Sequence, residues 1–140
     1  MQARDIMSTS PVCVTPATPL DEAARLMKDQ DVGMLPVVDS DGSTKLVGVV
    51  TDRDIAIRHV AEGHTGSCRV REAMTEQITT CRPADDVDDV MKAMGKEQVR
   101  RIPIVDERGS LVGVVSQADI ALRADDAKGA GRTVEQISQP

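Results

Sequence analysis

GVVTDRDI, at residues 48–55, reads as a short apolar strand that runs directly into a helix. Thr51 is an N-cap residue type, and Asp54 stands three positions on, where a capping-box acid returns a bond to the cap's own N–H. The same hydroxyl and carboxylate are also groups that can hold a ribose. The pattern returns at residues 113–120 as GVVSQADI, with Ser116 and Asp119 in the two polar places. A turn that recurs in register points to a duplicated unit, which can be traced outward from it.

Upstream of the turn, DIMSTSPVCVTPATPLDEAARLMKDQDVGMLPVVD aligns with EAMTEQITTCRPADDVDDVMKAMGKEQVRRIPIVD at a constant offset of 67. Met7 meets Met74, Pro16 meets Pro83, Met27 meets Met94 and Pro36 meets Pro103. LVGVVTDRDIAIR then meets LVGVVSQADIALR at an offset of 65, because the first hairpin loop is two residues longer. Each copy reads β-α-β-β-α, preceded by a short helix (Ala3 to Met7, Val70 to Met74). Val12 to Thr15 and Ile78 to Cys81 are the first β-rich runs. The helix that follows is expected to be capped by Thr18, with Pro19 at its first position, and by Asp85 in the second copy. Leu20, Ala23, Ala24 and Met27 fall at i, i+3, i+4 and i+7, as do Val87, Val90, Met91 and Met94, which marks one buried helix face.

LPVVD and KLVGVVT around SDGS, and IPIVD and SLVGVVS around ERG, are hairpins with glycine in the turn. A second helix starts at Asp52 or Gln117 and is expected to end near Gly63 and around Asp126. The fold expected is α/β (α+β), with repeats over residues 3–62 and 69–124 and a tail over 125–140. In the tail, Val134 and Ile137 fit either a short helix or a frayed end. A repeat of about 55 residues has little core of its own, so the two copies are expected to pack with pseudo-two-fold symmetry into one module.

Composition narrows the function. A net charge of −6 and a pI near 4.9 speak against a nucleic-acid binder, which would carry a basic face. Phe, Tyr and Trp are absent, so no base-stacking platform can be built, and any purine must be gripped by aliphatic side chains and backbone. No apolar run reaches membrane-spanning length and the N-terminus has no signal-peptide core, so a cytoplasmic, non-membrane protein is expected. Cys13, Cys68 and Cys81 have no CxxC spacing, and an odd count suits a reducing compartment. His59, His64 and Cys68 form H-x4-H-x3-C, which matches no standard zinc pattern, and are read as exposed polar residues with no metal expected. No nucleophile paired with a base is visible, so no catalytic residue is assigned.

With these pieces in order, the sequence resembles a tandem pair of cystathionine β-synthase (CBS) domains, often called a Bateman module, over residues 3 to about 124. The resemblance rests on DIM and EAM opening the copies, the strands ending at Pro16 and Pro83, the Leu/Met helix stripe, LPVVD and IPIVD, and G-h-h-T/S-x-x-D-h twice. It implies a regulatory, non-enzymatic module that binds adenosine-containing ligands (AMP, ADP, ATP or S-adenosylmethionine) in clefts between the repeats and modulates a partner protein. No cofactor is required. With so little chain outside the pair, it resembles the stand-alone members, many of them homodimers.

The chemistry fits such ligands. One ionised carboxylate can accept both vicinal ribose hydroxyls in charge-assisted bonds, and an acid serves the same end in dinucleotide folds. Thr51 and Asp54, then Ser116 and Asp119, are the ribose-binding pairs. The free N–H groups of the helix start favour an anion. The resemblance implies that Arg100 and Arg101, helped by Arg53, hold phosphates beside Thr51 and Asp54, with Ile78, Thr79 and Val99 walling the adenine. Pro11, Val12, Val32 and Met34 would wall the cleft of Ser116 and Asp119. Set against this, T/S-x-x-D is also an ordinary helix cap, and the arginines also suit a surface pair bonded to nearby acids. The competing function is a ligand-independent, dimeric stress-response or interaction scaffold.

Overall fold

The computed structural model of the chain describes residues 1–64 and 67–123. Two compact units divide it, one formed by Val12–Ile78 and the other by Met1–Pro11 with the segment from Thr79 onward. The expected tail, and the helix end around Asp126, lie outside the described residues.

The units and the sequence repeats differ by an exchange of entry arms. Helix α1 (Ala3–Ile6) opens the first repeat in sequence but packs in the unit of the second: Ala3 N–H donates to Asp85 O at 2.8 Å, and Ser8 bridges Val114. A 3-10 turn at Val70–Glu72, shorter than the expected helix to Met74, opens the second repeat but packs in the unit of the first. There Val70 N–H donates to Thr18 O at 2.8 Å, and Thr75 bridges Val49.

Within the Val12–Ile78 unit, α2 (Leu20–Gln30) buries Leu20, Ala23 and Met27. Ala24, expected in the core, is exposed, and Leu26 on the other flank of the stripe is half-buried and packed on the core. The helix turns its larger side chain inward because a leucine removes more apolar surface from water than an alanine methyl. Strands β1 (Met34–Val38) and β2 (Leu46–Thr51) form an antiparallel hairpin, register Met34↔Thr51, and close the core over Leu35, Val37 and Val50. Helix α3 (Asp52–Ile55) follows and continues as a π-helical turn, Ala56–Val60.

The other unit repeats the plan with α4 (Val87–Glu97), β3 (Arg101–Val105), β4 (Leu111–Ser116) and α5 (Gln117–Arg123), register Arg101↔Ser116. Val87, Val90, Met91 and Met94 are all buried, as their spacing predicts. The fold is therefore mixed helix and strand, two repeats each holding a small antiparallel sheet.

The runs before Pro16 and Pro83 contribute single parallel bridges, Val14↔Val37 and Cys81↔Ile104, in place of full strands. The caps also sit one residue later than expected. Thr18 spends its hydroxyl on the preceding turn, accepting from Thr15 N–H at 2.9 Å, so Pro19 is the N-cap and α2 starts at Leu20. Asp85 likewise accepts from Arg82 N–H at 2.8 Å, which leaves Asp86 to cap α4.

α2 and α4 both end in Schellman motifs. Val32 N–H donates to Met27 O and Val99 N–H to Met94 O, while Asp31 and Gln98 take the left-handed position at φ 54°. The motif sets its two end residues in contact, here Met27 with Val32 and Met94 with Val99, and each pair belongs to its unit's core.

The candidate ligand-binding turns

Thr51 and Asp54 form the reciprocal capping box that the sequence predicts. Asp54 N–H donates to Thr51 Oγ1 and Thr51 N–H to Asp54 Oδ2, each at 3.0 Å. Ser116 and Asp119 reproduce it at the same two distances, 3.0 Å each. Ser116 is buried, Thr51 and Asp119 are half-buried, and the Asp54 side chain is 13 % exposed. The cap uses one oxygen of each carboxylate. Cap and clamp are therefore compatible, since each acid keeps acceptor capacity on its second oxygen.

The Asp54 turn has further braces among the described residues. Asp54 also accepts from Thr75 Oγ1, 3.3 Å from both carboxylate oxygens, and Arg58 Nε stands 4.0 Å from Oδ1. Arg58 is itself held by donating to Met74 O at 3.0 Å. Thr75 and Arg58 were missed by motif reading, although the repeat carries a signal for them. Ser8 and Arg123 occupy the matching positions, so each copy keeps a hydroxyl and an arginine in register with its clamp.

The hairpin registers place the remaining residues. Met34 lies opposite Thr51, and Asp52 N–H donates to Gly33 O at 2.9 Å. Val32 and Met34 are half-buried beside this turn, with Val12 exposed, Ile78 half-buried and Arg53 exposed in the same unit. In the other unit Arg101 lies opposite Ser116, and Gln117 N–H donates to Arg100 O at 2.9 Å. The structure thus brings Arg100 and Arg101 to the Ser116 turn, with half-buried Val99 preceding them; Thr79 and Pro11 belong to that unit.

The immediate charges differ as well. Asp52 follows Thr51 and sits over Gly33, its Oδ2 3.1 Å from where a Cβ would stand, whereas the neutral Gln117 follows Ser116. Gln117 Oε1 is buried and has no hydrogen-bond partner among the described residues. An orphaned buried acceptor is costly. A cavity of about 350 Å³ lined by Cys13, Thr15, Thr18, Glu22, Leu26 and Asp41, among others, contains neither Thr51 nor Asp54.

Cys81 is a poor redox candidate. Burial, then the nearby Asp85 and Asp89 charges, push its thiol up to about 11. At neutral pH only ~1 in 10⁴ of such a thiol is the reactive thiolate. We expect alkylation of the folded protein near pH 7, after treatment with a metal chelator, to label the half-buried Cys68 before the buried Cys81, read by mass spectrometry of peptides; equal rates would show that Cys81 is not held in this buried, acid-flanked position. Burial also raises the Cys13 thiol. Among the described residues, no helix is long and apolar enough to cross a membrane.

Comparison with known proteins agrees with the repeat. The CBS domain family matches residues 3–59 and again 70–125. The chain is 38 % identical over 135 residues to the CBS domain-containing protein YhcV of Bacillus subtilis, covering 96 % of this chain and 94 % of that protein. Among solved structures it is similar to Hypoxic Response Protein I with two coordinated zinc ions (TM-score 0.78, 35 % identity, 88 % of this chain and 98 % of that one). It is also similar to the CBS domain pair of protein MJ0100 in complex with 5′-methylthioadenosine and S-adenosyl-L-methionine (TM-score 0.75, 30 % identity, 87 % and 94 % coverage).

Proposed function

Because the chain belongs to the CBS-domain family as a tandem pair, we propose that it is a non-catalytic regulatory module that binds an adenosine-containing ligand and passes its occupancy to a partner protein. The observation that carries this reading is the duplicated hydroxyl–carboxylate box, in which each aspartate holds its own turn with one oxygen and keeps acceptor capacity for ribose hydroxyls. The adenosyl ligands of the MJ0100 domain pair support the ligand class.

The two clamps are unequal. The Ser116 turn has Arg100 and Arg101 beside it, no acid in its second position, and the orphaned Gln117 oxygen, which can accept from an adenine amino group or a ribose hydroxyl. These features support the Ser116 clamp as the one for a phosphorylated ligand, with Val99 against the base. The Thr51 turn carries Asp52 and Asp54, a local field that disfavours an anion. It suits an uncharged or cationic adenosyl group resting on Val12, Val32 and Met34. Arg53, exposed in that turn, and Arg58, 4.0 Å from Asp54, offset the acids in part.

Ligand occupancy stabilises whichever arrangement binds more tightly, and the partner reads that shift. Ile57 and Val60, 51 % and 66 % exposed on the helix after Asp54, support a homodimer with those side chains covered. Isothermal titration of the purified chain with AMP, ATP and S-adenosylmethionine tests the function. We expect saturable heat with at least one of them and a matching rise in Tm. If none gives heat or a Tm shift at millimolar concentration, the nucleotide reading fails. A dimer that binds its partner regardless of nucleotide, the scaffold function, then takes its place.

A further inference from the structure

His59, His64 and Cys68 lie outside both clamps. Their H-x4-H-x3-C spacing is not a zinc pattern in sequence, yet the fold gathers them. Nitrogen atoms of the two imidazoles and the Cys68 sulfur all lie within 4.8 Å of one another. The cause is the way the helix after Asp54 ends. Gly63, at φ 74°, takes the left-handed position; Gly63 N–H donates to Val60 O and His64 N–H to His59 O, each at 3.0 Å.

This is the Schellman geometry that also closes α2 and α4, and it juxtaposes the same two positions. At the other two helix ends those positions hold a buried Met with a half-buried Val packed on the core. Here they hold two histidines, with ring centroids 6.0 Å apart. The third group comes from the connection toward Val70, fixed where Cys68 O accepts from Leu20 N–H at 2.9 Å.

One atom in the cluster stands without a protein partner. His59 Nδ1 is buried with no hydrogen-bond partner among the described residues. A buried imidazole nitrogen left unsatisfied is costly, and a metal ion removes that cost. Two imidazoles and a thiolate are a borderline-soft N₂S donor set, which suits zinc over calcium or magnesium.

We propose that His59, His64 and Cys68 form a three-ligand zinc site, with water in the fourth position. Tetrahedral zinc sets its ligand atoms roughly 3.5 Å apart, and exposed His64 closes the difference by turning about its side-chain torsions. On binding, the Cys68 thiol gives its proton to solvent and sulfur donates to the metal, so no oxidant or reductant enters. The ion ties the helix carrying Asp54 and Arg58 to the connection leading to Thr75, the two parts that brace the Thr51 clamp.

The test is zinc content of the full chain after dialysis against buffer, with cobalt substitution as the second measurement. One zinc per chain is expected, with a thiolate-to-cobalt charge-transfer band in the substituted protein. Losing a direct ligand should exceed the cost of losing an outer-shell partner, so His59→Ala, His64→Ala and Cys68→Ser should each weaken zinc binding on the order of 100-fold or more. Cys13→Ser should keep full zinc. Absence of stoichiometric zinc and of the cobalt band in the wild-type chain would overturn the site, as would zinc retained equally by the three variants. The cobalt spectrum of the wild type decides the matter even if a variant fails to fold.

Discussion

Gly48→Ala is expected to destabilise the chain by about 1–3 kcal/mol, the range for forcing an extra carbon into a filled space. A Cβ at Gly48 would stand 2.6 Å from Thr75 O and 2.6 Å from Met74 Cε. The methionine can swing away, but the Thr75 carbonyl cannot, because Val49 N–H donates to it at 3.0 Å and Thr75 N–H donates back to Val49 O at 2.8 Å. Alanine would regain about 0.5–1 kcal/mol by restricting the unfolded chain, which is smaller than the clash.

Gly113→Ala meets Met7 Sδ at 2.7 Å and Ser8 O at 2.9 Å, so the flexible side chain absorbs more of the strain and a milder loss is expected. Urea unfolding of the two variants measures the order directly. Equal stability of Gly48→Ala and wild type would mean that the Met74–Thr75 segment does not lie across β2 as described. Gly48→Ala should also weaken ligand binding, because displacing Thr75 removes one brace from Asp54.

That glycine shows what sequence made visible and what it hid. Apolar patterning located α2, α4 and the two hairpins, because burial of one face acts over the few residues that a window samples. Repetition made the T/S-x-x-D boxes credible as a pair. The exchange of entry arms was not legible. Nothing local to residues 3–8 says that their backbone partners are Pro83, Asp85 and Val114. The caps of α2 and α4 shifted by one residue because Thr18 and Asp85 had a second donor to satisfy in the preceding turn, a competition between two valid local rules.

The placement of Arg101 opposite Ser116 follows from hairpin register, which the sequence contains once the hairpin is drawn. The zinc-type cluster was hidden for a different reason. Motif spacing assumes regular helix or knuckle geometry, whereas a helix end brings positions five apart together. The sign available in the sequence was Gly63 one residue before His64.

Asp119→Ala is expected to lower affinity for a phosphorylated adenosine ligand on the order of 100-fold, since hydrogen bonds to a charged acceptor contribute roughly 1.5–3 kcal/mol each. Asp119→Asn should recover part of the loss, because an amide oxygen still accepts but without charge. Asp54→Ala should cost less for this ligand, because Asp54 is already shared with Thr75 and flanked by Asp52.

The arginines separate the phosphate from the nucleoside: Arg101→Ala should weaken AMP while leaving adenosine unchanged. Titrations of Asp119→Ala, Arg101→Ala and the double variant with AMP measure whether the two residues act on one ligand. A loss in the double variant smaller than the sum of the single losses places them on the same bound molecule. Full additivity with Asp119, together with coupling to Asp54, would move the arginines to the Thr51 clamp. That result would leave the adenosine-binding function standing and reverse the assignment of charge between its two turns.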